Sequence, residues 1–244
     1  MTLPTPRFAR RRRAMLLALL APMVAKASSA MSATKRCALT FDDGPHPVQT
    51  ARVLDKLVAH GGVPATFFIW AERIGPATEP VLARIRAEGH ELANHSWAHA
   101  NMAQLTREQI RSDFERAQAA ITRAAGGQAP RFFRAPFLAA SDALHELVPL
   151  PFVGGIAAYD WPGTDAPTAR TRADKILRAP QLRDGAILVL HDVQPEPHPT
   201  PEALDFLIPE LREQGFDFVT LSQLFERRGV KPQAGERRQW VVAE

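Results

Sequence analysis

From about residue 36 onward, short apolar runs alternate with longer stretches whose apolar residues recur at helical spacing, and nothing else in the chain limits its fold so tightly. The runs at 37–41, 65–69, 90–93, 131–134, 152–156, 186–190 and 216–219 read as seven strands. Between them, 49–60, 77–88, 106–125, 140–147, 170–180 and 201–214 read as helices, with a short one near 221–228. Strands separated by whole helices pair in parallel, because a parallel neighbour needs a crossover of about a dozen residues or more. If such strands close into a barrel, the residues just past each strand's C-terminal end gather on one face, where chemistry sits in such folds.

Several boundaries carry their own punctuation. Thr106 with Gln109 three residues on predicts a capping box, and Gly126-Gly127 a stop for the same helix. Thr200-Pro201 predicts an N-cap followed by proline at the first helical position, Gly215 closes that helix, and Pro209 inside it predicts a kink or an early break. The even spacing leaves no convincing linker. One domain over about 34–230 is expected, with a polar tail at 231–244.

The formal charge of +4 comes from the start of the chain. Residues 1–30 hold Arg7, Arg10, Arg11, Arg12, Arg13 and Lys26 and no acid, which leaves 24 basic against 26 acidic residues, a net of −2. No basic, aromatic-interleaved surface for nucleic acid is expected downstream. The leader has the layout of an export signal: basic residues to Arg13, an apolar run from Ala14 to Ala25, then Ala27, Ser28, Ser29 and Ala30. That run has about 12 residues, where a membrane span needs about 20, so cleavage and a periplasmic or secreted protein are expected, by the general or the twin-arginine route. Cys37, the single cysteine, lies in an apolar strand and reads as a core residue.

Ionisable residues stand at nearly every strand end. Asp42 and Asp43 follow the first strand, Asn94, His95 and His99 the third, Arg134 the fourth, Asp160 and Trp161 come a few residues after the fifth, and His191 and Asp192 follow the sixth. Asp42-Asp43-Gly44-Pro45 alone is ordinary turn chemistry. His95 and His99, four apart, are expected on one face of a helical turn, and with a strand-end aspartate they complete a two-histidine, one-carboxylate set with open positions. Such a set suits Zn²⁺ or another divalent transition metal and leaves room for a water that the metal acidifies. With Asp43 on the metal, Asp42 is free to act as base, His191 as acid beside Asp160 or Asp192, Arg134 as the group that orients Asp42, and a backbone N–H near Phe137 as an oxyanion donor. His60, His145 and His198 are expected to be exposed, and His46 to be the one further histidine that lines a cleft. Trp97 and Trp161 each read as a sugar platform or a buried aromatic.

With these motifs in order the chain resembles the polysaccharide deacetylases, the NodB-homology domain of carbohydrate esterase family four. The resemblance covers 36–228 and rests on Thr40-Phe41-Asp42-Asp43-Gly44, His95-Ser96-Trp97-Ala98-His99, Arg134-Ala135-Pro136-Phe137, Asp160-Trp161 and Val189-Leu190-His191. It implies a single-domain α/β fold, a distorted (β/α)7 barrel, with Asp42 as base, Asp43, His95 and His99 as ligands, Arg134 positioning the base, and His191 as acid tuned by Asp160. Phe137 stands where the family commonly has tyrosine, and Val189 where it commonly has leucine, in the pocket for the acetyl methyl.

The implied activity is removal of N-acetyl groups from N-acetylglucosamine-containing glycans such as chitin oligomers, peptidoglycan or an exopolysaccharide. The implied cofactor is zinc, with cobalt, nickel or iron also compatible. O-deacetylation of xylan, deacylation of a lipid-linked sugar or a cyclic amide, a silent glycan-binding module and peptide hydrolysis are the alternatives.

Overall fold

The computed structural model describes residues 34–163 and 165–231, together with Met1, Gln233 and Arg237–Arg238. The chain divides into two units, Met1–Ser32 and Ala33–Glu244; the expected export signal lies outside the described residues, and the fold below is that of the second unit. Its strands are β1 (Lys35–Asp42), β2 (Ala65–Ile69), β3 (Glu91–Asn94), β4 (Phe152–Val153), β5 (Ile156–Ala157), β6 (Ala186–His191), β7 (Phe216–Phe218) and β8 (Arg237–Arg238). The helices are α1 (Gln49–Ala59), α2 (Glu79–Ala87), α3 (Arg107–Ala124), α4 (Asp142–Leu147), α5 (Ala169–Leu177), α6 (Thr200–Glu213) and α7 (Leu221–Arg227).

All the pairings are parallel. The main sheet runs β3-β2-β1-β6-β5, with β7 on the first residues of β1. Closure into a distorted (β/α)7 barrel takes place at the two expected strands that did not form whole. In 131–134 only Phe133 joins the ladder, bridging Asn94 on one side and Phe152 on the other. Pro130 and Pro136 bound this stretch, and a residue without an N–H cannot extend a ladder. The expected strand at 152–156 is broken at Gly154-Gly155 into β4, which meets Phe133, and β5, which meets β6. Gly155 is required here, since a Cβ would stand 2.5 Å from Val189 Cγ2 and 2.8 Å from the Ile187 carbonyl oxygen.

The two-residue period of the strands divides the core. In β1, Cys37, Leu39 and Phe41 face the helical layer with Leu188 and Leu190 of β6, packed against Val53, Leu54 and Leu57 of α1 and Leu204, Leu207 and Ile208 of α6. The other face of the strands fills the barrel: Ala38, Phe68, Ala93, Phe132, Val153 and Ile187 pack together, closed off by Leu221, Leu224 and Phe225 of α7. The inward rows Ala38–Thr40–Asp42 and Ile187–Val189–His191 therefore begin apolar and end ionisable. Cys37 is fully buried, and burial pushes its thiol far above the ordinary range, as suits a core residue.

The expected caps hold at α3, where Thr106 and Gln109 form the capping box and Gly126 and Gly127 follow with φ of 70° and 100°. One expectation for α6 does not hold: Pro199, not Thr200, occupies the N-cap. Of the two outcomes expected at Pro209 the early break is absent, since the helix runs a turn past it to Glu213; Leu204, Leu207, Ile208 and Leu211 bury against the core and offset the lost backbone bond. Within the polar tail, the backbone of Arg237–Arg238 pairs with Phe152–Val153. Among the described residues no helix is long and apolar enough to cross a membrane.

Candidate active site

Asp43, His95 and His99 converge beyond the ends of β1 and β3, with one ligand atom of each within 4.8 Å of the others. Asp43 Oδ1 lies 3.4 Å from His95 Nε2 and 3.0 Å from His99 Nε2. His95 Nδ1 is 2.8 Å from the Arg134 carbonyl oxygen, an atom that only accepts, so Nδ1 carries the proton and Nε2 presents a lone pair. Asp43 Oδ1 is buried and takes no hydrogen bond among the described residues. A buried carboxylate oxygen left facing two imidazole nitrogens fits a cation and little else.

The histidine pair does not lie on a helical turn as its spacing suggested. Ser96 and His99 have left-handed backbones, with φ of 72° and 53°, and polar side chains fold the loop into that shape. Ser96 N–H donates to Asn94 Oδ1 at 2.8 Å and His99 N–H to Ser96 Oγ at 3.0 Å, while Asp113 of α3 accepts from the Trp97 and Ala98 N–H groups at 2.8 and 3.0 Å. Asp43 is likewise left-handed, at φ 77°. His99 is pinned between rings, stacked on Trp70 at 4.7 Å and edge-on to Phe137 at 4.9 Å.

Beside the donors stand two charged pairs. Arg134 is almost completely buried, and its guanidinium donates to Asp42 Oδ1 at 2.6 Å, Thr40 Oγ1 at 2.9 Å, the Val153 carbonyl at 2.8 Å and the Gly154 carbonyl at 3.1 Å, with Phe68 against its face at 4.0 Å. Burial works to lower the arginine's pKa and the Asp42 charge opposes it. Asp42 and His191 are direct neighbours in the β1–β6 register. His191 Nδ1 lies 2.7 Å from Asp160 Oδ1; Asp160 Oδ2 also accepts from the His191 N–H and the Thr200 hydroxyl, both at 2.8 Å. Burial alone would depress the imidazole's pKa, but the charge and hydrogen bond of Asp160 raise it to about 9. Asp160, though buried, is held below the usual carboxylate range by His191 and Thr200.

These groups open into one cavity of about 480 Å³, lined by all the candidate residues but Asp160, which lies beneath His191. Its apolar wall includes Phe137, Leu138, Ala157, Trp161 and Val189. Phe137 and Leu138 are exposed at the rim in left-handed conformations. Trp161 lines the cavity edge-on to His191 at 5.7 Å. Trp97 instead packs against the outer core under the Arg116 guanidinium, 3.6 Å from its ring.

The secondary histidines differ from expectation. His198 is buried, His60 and His145 are half-buried, and His46 turns away from the cavity to accept the N–H groups of Val48 and Gln49 at the start of α1. From sequence, Thr40 stood only as part of a motif and Thr200 only as a helix start, and Asp113, Gln49, Thr50 and Gln194 carried no signal. Asp192, noted as a partner for His191, is instead bound to the aspartate loop: it accepts from Gly44 N–H at 2.9 Å and from the Thr50 hydroxyl. Burial pushes its pKa up to about 7, against the pull of the Thr50 bond. A Cβ on Gly44 would stand 2.2 Å from Asp192 Oδ2, so only glycine fits.

The family profile for polysaccharide deacetylases matches residues 30–149. The chain is 35% identical over 207 residues to a chitooligosaccharide deacetylase of Bradyrhizobium sp., covering 80% of this chain and 92% of that protein. It is 37% identical over 198 residues to a bifunctional xylanase/deacetylase of Pseudobutyrivibrio xylanivorans, covering 81% of this chain but 32% of that longer protein. The fold matches that of a family 4 acetyl xylan esterase from Clostridium thermocellum, solved in complex with a cobalt ion, with a TM-score of 0.80 and 46% identity over 86% of this chain and 100% of that one. The chain belongs to the polysaccharide deacetylase family.

Proposed function

We propose that this protein is a metal-dependent hydrolase that removes acetyl groups from N-acetylglucosamine-containing glycans. The observation that carries this reading is the convergence of Asp43, His95 and His99 on one point beside the Asp42–Arg134 and His191–Asp160 pairs. Asp43, His95 and His99 would hold a divalent cation, which when bound would supply Lewis acidity toward an acyl carbonyl and a neighbouring water. Asp42 takes the proton from the attacking water; its carboxylate is already oriented and charge-balanced by Arg134. The backbone N–H of Phe137, on the cavity wall, is the proposed donor to the oxyanion that develops on the acyl oxygen. His191, kept protonated by Asp160, delivers a proton to the leaving amine, so that acetate and free amine part. Val189 and Trp161 enclose the acetyl methyl and the sugar.

Zinc is the proposed resident ion, since two imidazoles and a carboxylate with open positions suit it, and cobalt or nickel would bind the same donors. Export through the basic leader, with maturation near residue 30, accords with a polymeric substrate outside the cytoplasm. The likeness to the acetyl xylan esterase favours a second reading, in which the acyl group leaves from a xylan oxygen by the same chemistry. A silent glycan-binding module is disfavoured because every motif position keeps its reactive side chain.

The test is acetate release from N-acetylglucosamine oligomers, peptidoglycan and acetylated xylan, with chelator and then with zinc or cobalt restored. Release from the amino-sugar glycans that chelation abolishes and metal restores is expected. Release from xylan alone would turn the assignment to the ester, and none from any, with metal bound, would overturn it.

A further inference from the structure

The cation donors of Asp43 pose a geometric question that the reaction itself does not answer. Its Oδ1 faces the two imidazoles and takes no hydrogen bond among the described residues, so none of them fixes the carboxylate plane from that side before an ion arrives. Its other oxygen, Oδ2, accepts from Gln194 Nε2 at 3.3 Å. Gln194 stands three residues past the end of β6 and lines the cavity.

A glutamine side chain with three torsions orients a partner only if it is itself held. Here the side chain of Gln49, the first residue of α1, grips the Gln194 backbone from both sides: Gln194 N–H donates to Gln49 Oε1 at 3.0 Å, and Gln49 Nε2 donates to the Gln194 carbonyl at 2.9 Å. The Gln194 amide must turn its NH₂ toward Asp43, because the opposite flip would set two acceptors against each other. A neutral donor also suits the place, orienting the carboxylate without a positive charge that would oppose the cation. The Asp192–Gly44 contact anchors the backbone of the same loop and leaves the carboxylate free to rotate, so the two contacts act on different degrees of freedom.

We propose that Gln194 is a positioning residue for the metal ligand Asp43, and that Gln49 holds Gln194 in place. The inference rests on the reading of Asp43, His95 and His99 as metal ligands. Hydrogen-bonding partners of metal ligands typically account for about 10–100-fold in metal affinity.

The test compares zinc and cobalt dissociation constants, by chelator competition on apo protein, for the wild type and the variants Gln194→Met, Gln49→Ala, their combination and His99→Ala. Methionine keeps the length of glutamine and removes the donor. Gln194→Met is expected to weaken both metals by about 10–100-fold with the apo unfolding midpoint unchanged. Gln49→Ala should weaken them in the same direction by less, and the double variant should be no worse than Gln194→Met alone, since the two act in series. Wild-type affinity in Gln194→Met, with binding lost in His99→Ala, would overturn the role of Gln194 and leave the metal site standing. Equal affinity in the wild type and His99→Ala would overturn the metal site itself. Should Gln194→Met not fold, wild-type affinity in Gln49→Ala would equally overturn the proposal.

Discussion

The two halves of the site are built on opposite principles. The donor half is held by strained backbone: Asp43, Ser96 and His99 are all left-handed, and among the described residues the buried Asp43 Oδ1 is left without a hydrogen bond. The acid–base half has Asp42 and His191 on the last residues of β1 and β6 and satisfies its own charges, Asp42 against Arg134 and Asp160 against His191 and Thr200. A charge that is compensated internally contributes to the fold, whereas one left open is reserved for a ligand. The halves should therefore respond differently to substitution, the first through metal affinity and the second through stability and pH.

The sharpest break of that comparison is Arg134→Ala. It leaves Asp42 buried without its partner, and removing one member of a buried pair costs about 3–5 kcal/mol, to be read by denaturant unfolding of the apo protein. A loss comparable to that of His99→Ala would mean that the two halves are not distinct. Asp42→Asn should lower kcat by about 10²–10⁴-fold, with zinc affinity kept, because it removes the base and no ligand.

Asp160→Asn should move the alkaline limb of the kcat profile down from near pH 9 toward the ordinary histidine value. The sign is set by linkage: the folded-state pKa of His191 is raised from 6.5, so its contribution to stability is full below 6.5 and is lost as pH rises through about 9. The wild type should lose stability across that window more steeply than Asp160→Asn, as unfolding at pH 6 and pH 9.5 would reveal. The smallest effect is expected of Trp161→Ala, roughly a three- to tenfold rise in KM for an oligosaccharide from the loss of one aromatic face.

Much of the barrel was legible because strands and helices here obey their own periods. The runs 37–41 and 186–190 are apolar on both faces, as strands covered by helices outside and packed core inside must be, and they form β1 and β6. Where a stretch depended on a distant partner, the reading lost definition. The run 131–134 is apolar enough for a strand, yet only Phe133 pairs, and 152–156 breaks where β6 comes too close for any residue but Gly155. The polar clamps were less legible still. Gln49, Thr50 and Gln194 look like ordinary helix-start and loop residues, and no local pattern signals contacts across some 145 residues of chain.

What the sequence by itself determined is the identity and order of the reactive groups: each follows an apolar run, and a parallel βα chain has to deliver strand ends to one face. What only the tertiary structure decided is which atoms of the expected pairs meet and which of the two aspartates His191 takes. Arg134 meets Asp42, Asp160 meets His191 through a bond to Nδ1, and Asp192 turns from the histidine beside it to the glycine after the metal ligand. These choices depend on register, on left-handed turns and on which side chains burial leaves unsatisfied. Such quantities arise from close approach in space, and spacing along the chain does not encode them.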